Sequence, residues 1–411
     1  MNADFRLLLT ITLPLAAMNF INQASRTVMA IIGPVLAVEF ALSASELGLL
    51  AACMFAAYAM AQLPVGVALD MLGPRRLQAA LALVAAAGFA VFALSNALPG
   101  FAAARAILGI GVSAGLMAVI KANAQWFAPV KVANMTGIAA AVGSLGSVLT
   151  TAPVEAVLPA LGWRGVFWLL CAASVAAALW IFISVRDRPS TAIRGGIRAE
   201  LAVMASICSS RRFWRYGPVV AMLSIPNFAY LGLWAGPWLR DVAGYDGQAR
   251  AGTLLLYTVS AMIGAVLIGL ASSRTQARGY SPVLVLVLCT AGLLGAHIGL
   301  ALQPSGVAAV TILWVLFAFF AAGATSGYVV VGQMFPTDQI GRVATAVNTL
   351  TLVGAFVLQA AIGWILDLWP RTAAGGWDPN GYSAALVLSA AVQLLAVAQL
   401  SGSMTPSRPR T

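Results

Sequence analysis

An all-α membrane protein of twelve transmembrane helices, arranged as two six-helix halves, is the fold class that three observations predict. Apolar residues make up 61% of the 411-residue chain and charged residues 9%, against about a quarter charged in ordinary soluble domains; mean hydropathy is +0.93. Apolar runs of about 20 residues recur along the whole length, each enough to cross a bilayer. They are continuous rather than alternating, and a helix satisfies its own backbone polar groups in lipid. The longest polar interruption, 187–213, divides the runs six and six.

Charged turns bound the elements in order. Span 1 (8–37) follows Arg6 and stops before Glu39. Span 2 (45–69) runs from beside Glu46 to Asp70, and Arg75 and Arg76 fill the turn before span 3 (77–95). Span 4 (99–126) closes on Gln125-Trp126-Phe127, and Lys131 precedes span 5 (133–157). Arg164 opens span 6 (164–185). In and beside the interruption lie Arg186, Arg188, Arg194, Arg198, Arg211, Arg212 and Arg215. Span 7 (214–239) ends at Arg240 and Asp241; Asp246 and Arg250 begin span 8 (250–272). Arg274 and Arg278 precede span 9 (280–302). Span 10 (306–332) closes on Gln333-Met334-Phe335, Asp338 precedes span 11 (342–368), and Arg371 and Asp378 precede span 12 (381–401).

Lys and Arg placement orients the chain, because cytoplasmic turns carry the excess. With both termini inside, sixteen of the 23 basic residues fall on the cytoplasmic side, four outside and three within spans. The expected organisation is an N-terminal bundle 1–186, a basic cytoplasmic linker 187–213 and a C-terminal bundle 214–411, multi-pass in a bacterial cytoplasmic membrane. The first apolar run is too long for a cleavable signal. The net charge of +11 sits in short turns, which argues against nucleic-acid binding. Cys53, Cys171 and Cys289 lie in spans and Cys208 in the basic loop, without metal-like spacing or a disulfide framework. No nucleophile–base pair points to an enzyme, and no cofactor is implied.

The halves echo each other. Gln333-Met334-Phe335 repeats Gln125-Trp126-Phe127, and Gly354 repeats Gly146, at a common offset of 208. A repeated six-span unit is one known build of transporters, with the substrate site where the repeats meet near mid-membrane. The turn Gly66-Val67-Ala68-Leu69-Asp70-Met71-Leu72-Gly73-Pro74-Arg75-Arg76 resembles the loop between the second and third helices of the major facilitator superfamily. Arg105-Ala106-Ile107-Leu108-Gly109-Ile110-Gly111 is similar to that superfamily's Arg-x-x-x-Gly-x-Gly motif. The resemblance covers the whole chain. It implies alternating access, a cavity lined by span 1, and a gate in which Asp70, with Gly66, Gly73, Arg75 and Arg76, meets the start of span 11 near Arg342. Met71 departs from an Arg often found there, and the second-half copy, Gly269 to Arg274, has lost its acid. Span 5 holds Gly143, Gly146 and Pro153 but lacks the Gly-Pro pair of drug antiporters. Spans 5 and 11 lack the Gly/Asn-rich pattern of nitrate porters.

Function is read from Arg26, Arg105 and Lys121, which lie inside spans where a cation is costly without water, a partner or a ligand. No acid is placed mid-membrane to pair with them. Asn19, Asn22, Gln23 and Arg26 fall on one helical face, either a site for a carboxylate-like group or a structural arginine bonded to a neighbouring helix. Arg105 and Lys121 are sixteen positions and about 160° apart, so both face a cavity squarely only if the Gly-rich stretch 109–115 kinks or rotates span 4; if only one does, the preferred one is Lys121, with snorkelling to the interface as the other reading. Asn227, Tyr230, Tyr257, Tyr328 and Gln359 are the expected second-half wall, while Trp234 and Trp238 fit an aromatic belt. Glu155 is the deepest acid, a proton site or an outer gate. His297 reads as a packing residue. The expected function is secondary active transport of a small, carboxylate-like organic anion by a monomer, as proton symport or anion exchange. Drug or metabolite efflux and carriage of a neutral solute are the alternatives.

Overall fold

The structure, a computed structural model, describes residues 3–188, 196–281, 283–336, 339–373 and 375–400. Arg194, Asp338, Arg408, Arg410 and the Arg198 side chain lie outside the described residues. Every regular element among those described is helical. Eleven of them are long and apolar enough to cross a membrane. The longest, Ala44–Leu94, has 51 residues; at 1.5 Å each that is about 75 Å, against a hydrocarbon core of about 30 Å. It breaks at Gly73, where φ is 78° and ψ 164°, a conformation glycine takes without the usual Cβ penalty. It is therefore spans 2 and 3, and the described chain makes twelve crossings.

The repeat appears in the shapes of the spans. Span 1 joins Ala3–Leu7, a π-helical turn Leu8–Thr12 and Leu13–Glu39; span 7 joins Arg211–Ala229, a π-helical turn Tyr230–Trp234 and Ala235–Asp241. Span 4 is broken into Leu98–Gly111 and Gly115–Trp126, and span 10 into Val307–Ala321 and Ala324–Gly332. Span 5 begins as Pro129–Leu149 and ends within Ala152–Ser184, which turns at Gly162 into span 6. Spans 8, 9, 11 and 12 are Gly247–Ala277, Val283–Ala301, Ile340–Leu366 and Pro379–Ala398. Gly146 packs on the Phe20 carbonyl and Gly354 on the Ile225 side chain, so span 5 meets span 1 as span 11 meets span 7. The polar interruption carries its own helix, Gly196–Cys208.

One end of the bundle bears the first residues, the Gly73 turn and the linker; we call it the near end. At the opposite, far end the halves are sealed. A methyl at Gly236 of span 7 would overlap the Ala30 carbonyl of span 1, and one at Gly363 of span 11 would overlap the Ala44 carbonyl of span 2. Small residues permit this close backbone approach where lipid supplies no hydrophobic drive. The Asp367 carboxylate, one residue beyond span 11, accepts the Ala44 and Ser45 amides at the start of span 2, both at 2.9 Å. Arg371 donates to the Leu42 carbonyl. Arg250 of span 8 pairs with Glu155 of span 5 at 3.4 Å.

Candidate functional site

Arg26 lies about two-thirds of the way along span 1, about 20 Å from its far end by helical rise. Its guanidinium is surrounded by aromatic faces: Phe55 at 5.8 Å, Tyr58 at 5.2 Å and Phe228 at 4.6 Å from ring centre to guanidinium carbon. Such contacts are attractive because the ring face carries negative potential. Phe55 comes from the first half and Phe228 from the second; their rings stack 5.8 Å apart and within 5° of parallel. The Tyr58 and Tyr328 hydroxyls also lie within electrostatic reach. No carboxylate among the described residues forms an ion pair with Arg26. The side chain keeps a partly accessible surface.

The other two in-span cations are already occupied. Arg105 is 1% exposed. It donates to the Ser25 carbonyl at 2.7 Å and, more weakly, to the Ala51 carbonyl at 3.5 Å. It ties spans 1, 2 and 4 together and offers the cavity no donor. Lys121, expected to face the cavity, bonds the Asp70 carboxylate at 2.5 Å and the Leu69 carbonyl at 2.8 Å. Asp70 was expected at the start of span 11; its carboxylate is instead held within the first half by this lysine. The neighbouring turn follows suit. The Arg75 amide bonds Asp187 at 2.9 Å, its side chain bonds the Phe182 carbonyl at 2.8 Å, and Gly73 packs against Asp187. Gly66 has open space beside it, Arg76 is exposed, and Arg342 lies in the first turn of span 11.

Removing one partner of the half-buried Lys121–Asp70 pair leaves the other charge without its counterion. Asp70→Asn is expected to destabilise by about 1–2 kcal/mol, read as a lower melting temperature. Asp70→Asn combined with Lys121→Gln recovers part of the loss; an additive double variant would show that the pair does not couple.

The polar stripe of span 1 divides with depth. Asn19 is 8% exposed and donates to the Ala139 carbonyl of span 5 at 3.3 Å, so it belongs to first-half packing rather than to the cavity. Asn22 is buried with its Oδ1 unpartnered. Gln23 is partly accessible. In the second half, Tyr230 departs from the expected wall: it is fully buried against His297, Trp314 and Phe317. A π-helical turn starts at this residue. Tyr257 is likewise buried, donating to Asn227 Oδ1 at 2.9 Å. Asn227 and Tyr328 stay partly accessible. Gln359 is buried beside Gly232 where the halves meet, with both amide atoms unpartnered. The Gln359 main-chain carbonyl accepts from the Trp234 indole N–H at 3.1 Å. His297 packs against Phe317 and bonds the Leu293 carbonyl. Sequence reasoning missed Phe55, Tyr58 and Phe228; the signal was an aromatic pair at i, i+3 in span 2, and Phe228 beside the already suspected Asn227.

A family model described as Major Facilitator Superfamily matches residues 15–359. The chain is 25% identical over 282 residues to a protein named probable sulfoacetate transporter SauU from Cupriavidus necator, covering 64% of each chain. It is 23% identical over 364 residues to the hexuronate transporter of Bacillus subtilis, covering 84% of this chain and 85% of that one. Among solved structures, a bacterial homologue of the human lysosomal transporter Spinster, inward-facing and unoccupied, superposes with a TM-score of 0.77 at 17% identity over 97% of both chains.

Proposed function

Because the chain belongs to the major facilitator superfamily of multi-pass transporters, we propose that it carries a small organic anion by alternating access, with Arg26 holding the negative group. The observation that carries this reading is an in-span guanidinium between the two halves without a carboxylate partner among the described residues. A planar fork of donors on a partly accessible side chain suits a carboxylate or sulfonate. The names of the two relatives give sulfoacetate, which carries two negative groups, and hexuronate, which carries one; both are organic anions and support the class at either valence. In this reading the near end is cytoplasmic, the bundles 1–186 and 214–411 rock about the site, and the linker 187–213 joins them. Partly accessible Gln23, Asn227 and Tyr328 line the open side.

Anion exchange is the favoured coupling. The described acid side chains lie at span ends: Asp4, Asp70 and Asp187 at the near end, and Glu39, Glu46, Glu155, Asp241, Asp246, Asp367 and Asp378 at the far end. None is beside Arg26 to take a proton with the substrate. An empty carrier must also move an uncompensated guanidinium through a closed state, which is costly, whereas a loaded one moves a neutral pair. In proteoliposomes, an anion on the trans side is expected to accelerate uptake several-fold, and a pH gradient alone to drive none. Accumulation driven by the pH gradient without internal anion would replace exchange with symport. Cationic dyes alone stabilising the purified protein would instead favour efflux.

A further inference from the structure

We infer that the site selects monoanions over dianions, with a single carboxylate or sulfonate on a body that has an apolar or ring face. This rests on the anion reading given above. The first ground is charge counting. Three basic residues enter the membrane region, yet only one is left to meet cargo. Lys121 is neutralised by Asp70 at 2.5 Å. Two Arg105 nitrogens donate to main-chain carbonyls of spans 1 and 2, its Nε is buried without a partner, and the side chain is 1% exposed; it adds positive field but no accessible donor. Of the three, Arg26 alone presents charged donors, so the first negative group of a substrate meets a counter-charge and a second does not.

The second ground is what surrounds Arg26. Phe55, Tyr58 and Phe228 stand within 6 Å of its guanidinium carbon, so a bound anion has aromatic walls rather than further cations next to it. A second carboxylate there would lose water and gain no counterion, and burying an unpaired charge is strongly unfavourable. An uncharged ring or the C–H face of a sugar acid meets the same walls with favourable contact. Phe228 lies on the opposite half from Arg26, which makes it the residue through which the body of the substrate reaches the second bundle.

The test compares pairs of nearly equal size that differ in charge: monomethyl succinate with succinate, the monomethyl ester of terephthalate with terephthalate, and glucuronate with glucarate. Thermal stabilisation of the purified full-length chain is followed against concentration. In each pair that responds, the monoanion is expected to act at concentrations at least about tenfold lower, a difference of about 1.4 kcal/mol. Phe228→Ala should weaken the response to the terephthalate monoester several-fold and leave that to acetate in place. Arg26→Lys keeps the charge without the planar fork and guards against an Arg26→Ala variant that fails to fold; it should respond weakly but retain the order of the pairs. Dianions acting as well as or better than their esters, through Arg26, would overturn the valence assignment and leave the anion reading standing. An absence of response to every anion, or responses indifferent to both Arg26 variants, would overturn the anion reading and the valence assignment with it.

Discussion

Arg26→Ala abolishes anion-dependent thermal stabilisation and lowers transport by roughly thirtyfold to several-thousandfold. Truncating one partner of a desolvated, charge-assisted contact costs about 2–5 kcal/mol, and each 1.4 kcal/mol is about tenfold. The unliganded variant should melt no lower than the parent. It loses the attraction to three ring faces, about 0.5–2 kcal/mol each at most, but it also removes a cation with no carboxylate partner among the described residues. The two effects oppose, which separates this result from simple misfolding. A ligand response unchanged in the variant would remove Arg26 from the site. A collapse of the unliganded protein would mark it as structural.

Asp367→Ala is the second large effect, and it falls on conformation. The carboxylate accepts two amides from the first turn of span 2 across the boundary between halves. A negative group at a surface-exposed helix N-terminus contributes about 0.3–1 kcal/mol, and Asp367 is exposed, so its loss should shift the balance between sealed and open far ends by roughly 2–5-fold. Distances between spin labels on the far-end turns of opposite halves, compared between parent and variant, measure that shift. An unaltered distribution would show that the glycine seam alone holds the end closed. The pH dependence has a definite sign. Burial raises the carboxyl's pKa, but bonds from Ser45, the Ala44 amide and Ser43 outweigh it, and Asp367 titrates below the usual aspartate range. Its contribution is therefore complete above the unfolded value of about 3.9 and is lost only as pH falls through the lower, folded value. The latch is fully charged near neutrality.

The spans were legible because hydropathy and charged turns act locally, and the repeat because its two copies keep one spacing. The destinations of the in-span cations were not. Lys121 and Asp70 are 51 positions apart, and Arg105 answers to main-chain carbonyls 80 and 54 positions away; a carbonyl carries no side-chain signature. Span 1 shows a second limit. Asn19 and Arg26 lie within about 20° of each other around the helix but about 10 Å apart along it. At the level of Asn19 the facing surface is span 5, and at the level of Arg26 it is spans 2 and 7. Helical periodicity reports the face and not the depth at which a neighbour covers it.

Arg105 carries a mechanical implication. One guanidinium grips the main chains of two neighbouring helices at once, so neither slides along the other without breaking a charged bond in a place water does not reach. In the proposed cycle spans 1, 2 and 4 would therefore turn as one lever, and whatever bending that cycle demands would fall on the parts that lack such a rivet.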